Sequence, residues 1–99
     1  MIGRTVSHYE ILSRLRRQRP NDTAILEPLA RSAAAIGAEG EAYQYQAEWY
    51  YLHGQLEAAV RQLEIALNQP DLDYYRKASL AARLQEYRGE LAELKEEQR

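Results

Sequence analysis

A chain of 99 residues without cysteine has room for one domain but none for a disulfide framework or a thiol nucleophile. Five glycines and three prolines against an excess of alanine, leucine, glutamate, arginine and glutamine describe an all-α protein, and no stretch alternates as a strand would. The acidic total of −2 argues against nucleic acid as a partner, and no run of about 18 apolar residues offers a membrane span.

Ser7 and Glu10 have the S-x-x-E spacing of a capping box, so a first helix is predicted over about 5–19, with Tyr9, Leu12 and Leu15 on one side. Arg14, Arg16, Arg17 and Arg19 crowd its last turns, where cations oppose the negative end of the helix dipole, and Pro20 stops it. Asn21 or Asp22 caps a second helix over about 22–36, whose stripe Leu26, Leu29, Ala30, Ala33 runs to a stop at Gly37. Pro28 removes a backbone donor near its start, so a kink or a ragged entry is expected there.

The third helix, about 39–53, is apolar on two faces, with Tyr43, Ala47 and Tyr50 on one and Ala42, Tyr45, Trp49 and Leu52 on the other. Such a helix is sandwiched between neighbours. Gly54 supplies the left-handed turn into a fourth helix, about 56–69, striped by Leu56, Ala59, Val60, Leu63 and Leu67 and closed by Pro70. Asp71 or Asp73 then caps a last helix over about 72–97, in which Gly89 is expected to cause a bend or a frayed end. Its Leu80, Leu84, Tyr87, Leu91 and Leu94 follow a 4-3-4-3 spacing, read first as a helix that caps the preceding hairpin. A homodimer through that seam, or through an exposed end face, is the alternative.

Gly37 and Gly54 lie seventeen residues apart, half of the roughly 34-residue period of the tetratricopeptide (TPR) repeat. Segment 40–73 resembles such a repeat residue by residue. Tyr43 and Tyr50 stand at its large aromatic sites, Ala47 at the small site, Gly54 at the turn, and Ala59, Leu63 and Ala66 at the small, large and small sites of the second helix, followed by Pro70. The resemblance implies a single TPR-like domain over 1–99, an α-α superhelix of about five antiparallel helices with 40–73 as its best-matched repeat. More closely, residues of about 20–90 are similar to the C-terminal TPR tail of bacterial periplasmic zinc metalloproteases, through AEWYYLHGQLEAAVRQLEIAL and DYYRKASLAARLQEYR. That likeness implies partner binding rather than proteolysis. The HExxH motif is absent, and the two histidines, His8 and His53, have no glutamate beside them. A periplasmic home is implied if the chain is part of such a tail; as the sequence stands, without an export signal, the expectation is cytoplasmic. Met1 to Leu12, MIGRTVSHYEIL, is similar to the leader of bacterial serine/threonine kinases, with the strand habit that implies. No glycine falls between Gly3 and Gly37, so no phosphate-cradling loop follows and no kinase activity is expected.

Chemistry is therefore expected to be binding, without catalysis, cofactor or metal. Glu39, Glu41, Glu48 and Glu57 read as a charged face, and His53 as a helix-end residue complementing the dipole. Charge is uneven along the chain: residues 1–21 carry five arginines and one glutamate (+4), residues 22–73 nine acids and two arginines (−7), and residues 74–99 six bases and five acids (+1). The arginine run at 14–19 could touch phosphates, which makes a nucleic-acid-binding helical protein the less favoured rival, but the acidic middle would repel a phosphate backbone and suit a basic protein or peptide. In the TPR register Tyr45, Glu48 and Leu52 line the concave groove, and with Glu41 and Arg31 they form the expected partner-binding set. Tyrosine gives contact area at low entropic cost, and glutamate accepts hydrogen bonds from a peptide or a basic side chain.

Overall fold

The structure, a computed structural model, describes residues 2–98, and among these are five α-helices and no strand. They are α1 (Ile2–Gln18), α2 (Leu26–Ala35), α3 (Glu39–Leu52), α4 (Leu56–Leu67) and α5 (Tyr74–Glu97), with a 3₁₀ turn, Thr23–Ile25, leading into α2. The all-α class read from composition holds. Helix α1 starts earlier than expected, which leaves Ser7 inside it and not at a cap. The segment before Ser7 contains no proline, so its carbonyls accept from the following turn and the serine is not needed there. Residues 2–12 are helical, so the strand habit that the kinase-leader resemblance implies is not kept there.

At α2 the ragged entry is observed. Asp22 accepts a hydrogen bond from the Ala24 N–H at 3.1 Å and caps the 3₁₀ turn. Pro28 becomes the third residue of α2, where its missing N–H would have had no helical partner anyway. Helices α2 and α3 both end in the two-bond motif that glycine makes possible. The Gly37 and Ala38 N–H groups bond the carbonyls of Ala34 and Ala33, and those of Gly54 and Gln55 bond the carbonyls of Tyr51 and Tyr50. Gly37 has φ +83° and Gly54 φ +76°, which a side chain would strain. Connections of three residues, 36–38 and 53–55, then force antiparallel neighbours.

Helix α3 packs on α2 and on α4, but of its second apolar face only Ala42 is buried, with Tyr45 and Trp49 part-covered and Leu52 exposed. Ala47, Ala59 and Ala66 are fully buried and let α3 and α4 approach closely, while Leu63 fills the space between them. On the other side Leu26, Leu29, Ala30 and Ala33 of α2 are buried. Each fully buried leucine contributes about 2 kcal/mol of apolar transfer. Helix α5 lies on α4 with Leu80, Leu84 and Tyr87 buried in the common core. Most of the seam that could have zipped to a second copy is thus spent within the chain, and only Leu94 at its end is exposed. Gly89 does not break α5, which runs on to Glu97.

The two candidate caps before α5 divide their work. Asp73 accepts from the Arg76 N–H at 2.8 Å and starts α5. Asp71 turns instead to α3, where the Gly40 N–H donates to its carboxylate at 3.1 and 3.3 Å. Helix α3 has no side-chain cap of its own, so Asp71 satisfies one of its free N–H groups and places a negative charge at its positive end. Leu72, buried, sits directly on Gly40, where an added Cβ would stand 2.6 Å from Leu72 Cγ. Only glycine leaves room for that leucine.

Candidate functional site

One stripe of helix α3 is reached by side chains of α1 and α5. Glu41, Tyr45, Glu48 and Leu52 follow a 4-3-4 spacing along it, and helices α1 and α5 flank it on either side. Glu48 lies at its centre, 12 % exposed, with Oε2 accepting from Arg16 Nη2 of α1 at 2.9 Å and Oε1 from Arg83 Nη1 of α5 at 2.7 Å. One carboxylate thereby ties three helices together. The Arg16 guanidinium also donates to the Pro20 carbonyl, which holds the end of α1 against the loop that follows.

About two turns toward the helix start, Glu41 pairs with Arg76 of α5. Burial pushes its carboxyl above the usual range, Arg76 opposes that, and the nearby Asp71 and Asp73 add to it. Its Oε2 is buried without a hydrogen-bond partner among the described residues. Tyr45 is half-buried between the two glutamates. Burial raises its phenol first, Glu41 and Glu48 raise it further, and Arg76 and Arg16 pull the other way. Beyond Glu48, Tyr51 stacks on Tyr87 of α5 with ring centroids 4.4 Å apart and planes 4° from parallel. The Tyr51 hydroxyl donates to Glu90 Oε1 at 2.9 Å. Leu52 closes the stripe, 50 % exposed.

Of the expected set, then, Glu41, Tyr45, Glu48 and Leu52 share one stripe, and Arg31 does not. Arg31 is exposed on α2, at the mouth of an open cleft of ≈ 440 Å³ whose walls include Trp49 and Tyr50. The expectation that glutamates here await a basic partner needs correction. Both are nearly buried and paired with arginines of the same chain, because a charge sum over 22–73 counts residues and not the cations that reach in from α1 and α5. Arg16, Arg76, Arg83, Tyr51 and Tyr87 were not foreseen. A signal for two of them exists: Glu41 and Glu48 are seven apart on α3, Arg76 and Arg83 seven apart on α5, and alternate helices of an antiparallel series run parallel.

His53 ends α3 as expected, its Nδ1 2.7 Å from the Trp49 carbonyl and its ring stacked on Trp49 at 3.9 Å. Among the described residues no three histidine, cysteine, aspartate or glutamate side chains gather as metal ligands would, and no helix is long and apolar enough to cross a membrane. Compared with known proteins, the chain matches no family model, no curated protein and no solved structure.

Proposed function

We propose that the chain is a non-catalytic, TPR-like helical scaffold that binds a protein or peptide segment along the stripe of α3 that lies between α1 and α5. The observation that carries this reading is that half-buried Tyr45 and half-exposed Leu52 share a stripe of α3 with Glu41 and Glu48, whose arginine partners come from α1 and α5. Two further facts support it. Of the positions matched to the repeat, Ala47, Ala59, Leu63 and Ala66 are fully buried, and Tyr43 and Tyr50 are partly buried against the same core. Arg76 and Arg83 use one amine each on a glutamate and remain more than a third exposed, so their other N–H groups are free to meet peptide carbonyls. A segment with an apolar side chain for Leu52 and carbonyls for these arginines fits better than a basic one. By resemblance, clients or assembly partners of an envelope protease are the first class to try.

The test is a fluorescence-polarisation screen of labelled peptides, repeated with Tyr45→Ala and Leu52→Ala on any binder. Each substitution is expected to weaken binding roughly tenfold while circular dichroism shows unchanged helix content. Undiminished affinity in both variants would remove the site.

A further inference from the structure

The outer face of α2 is untouched by the binding stripe. Exposed along it are Ala24, Glu27, Arg31 and Ala34, with Ala24 in the 3₁₀ turn that leads into the helix. A 3-4-3 spacing keeps the four on one side. Among the described residues neither Glu27 nor Arg31 has an ion-pair partner, unlike Glu41 and Glu48.

This stripe is complementary to itself. Let two copies of α2 lie antiparallel about a two-fold axis level with Leu29. Ala24 then faces Ala34 of the second copy at each end, and Glu27 faces its Arg31 in the middle. Symmetry forms that ion pair twice. A parallel alignment would set Glu27 against Glu27 and fails. The alanines leave the two backbones free to approach to the roughly 8–10 Å of packed helices. Beside the stripe the ≈ 440 Å³ cleft, lined by Leu26, Ala30, Trp49 and Tyr50 as well as the charged pair, adds apolar surface to what pairing would cover.

We infer that α2 is a self-association face and that its occupant is a second copy of this chain, paired antiparallel through Glu27 and Arg31. The face is short, about 15 Å of helix, and buries less than the roughly 800 Å² per partner of a standard interface. The dimer is therefore weak, forms at high protein concentration and dissociates as salt screens its ion pairs.

Charge exchange tests it. Sedimentation equilibrium at low salt, over a concentration series, is run on wild type, Glu27→Arg, Arg31→Glu, and an equimolar mixture of the two variants. Both positions are exposed, and circular dichroism checks that the variants keep their helices. Each variant alone sets like charges opposite each other twice, and its dissociation constant is expected to rise by roughly tenfold or more. The mixture restores both attractions, so a one-to-one heterodimer is expected where neither variant pairs alone. Single variants that dimerise like wild type, a mixture that stays monomeric, or a wild-type chain monomeric at every concentration would each overturn the inference. Peptide binding at Tyr45 and Leu52 is measured on a different helix, so either proposal can fail alone.

Discussion

Tyr87 shows what one side chain gains from its surroundings. It is buried, its ring lies flat against Tyr51, and burial pushes its phenol up to about 12, with Arg83 opposing and Glu48, Tyr51 and Glu90 adding to the rise. A phenol raised in the folded chain favours folding only while it keeps its proton. That advantage is complete below the ordinary value near 10 and is lost as pH climbs toward 12. An absorbance titration of tyrosinate should therefore show a late step that Tyr87→Phe diminishes by one tyrosine, and stability in urea should fall over the same interval. If every tyrosine ionised together at the ordinary value, the burial of Tyr87 would be refuted.

At the scale of the helix, α5 offers a direct measurement. Gly89 sits in its interior with open space where a Cβ would stand, so Gly89→Ala removes backbone freedom from the unfolded chain without meeting a neighbour. A gain of about 1 kcal/mol in urea-induced unfolding is expected, and a loss would contradict the open surroundings of that glycine. Elements of this kind were legible because their causes are local. Leu56, Ala59, Val60 and Leu63 repeat at helical spacing, and Pro20, Gly37, Gly54 and Pro70 stop the chain wherever they stand. The start of α1 misled for the same reason. Ser7 and Glu10 have cap spacing, but a cap forms only where the preceding residues leave the helix, and these do not. Other features hang on residues far apart in sequence. Asp71 caps α3 from 31 positions away, and Glu48 is neutralised by arginines 32 and 35 positions distant. Periodicity carries no information about such pairs. The stripe Glu41, Tyr45, Glu48, Leu52 was legible as a face, and the guanidinium groups over it were not.

As a whole the molecule is elongated, 52 × 28 × 18 Å with a radius of gyration of 14.2 Å, against about 13 Å for a compact chain of this length. Its backbone packing runs mainly from each helix to the next, as in an array whose members are held by their neighbours. Side chains supply the longer links, and among the described residues Glu48 pairs with both α1 and α5. Glu48→Ala would free Arg16 and Arg83 together, leaving α1 to its packing on α2. A loss of roughly 1–2 kcal/mol in urea is expected, with α1 the first segment cut by a protease. Cutting that began in α5 instead would show that the tie matters more to the other end.

The clasp of Asp71 and Leu72 on Gly40 has a kinetic meaning. Refolding can wind α3 as soon as its own residues are made, but the Gly40 amide stays open to water until the segment after α4 has closed over it. Pulse-labelled exchange at that one amide would therefore time the arrival of the second half of the chain on the first. In the native state its protection would measure how often the two halves part.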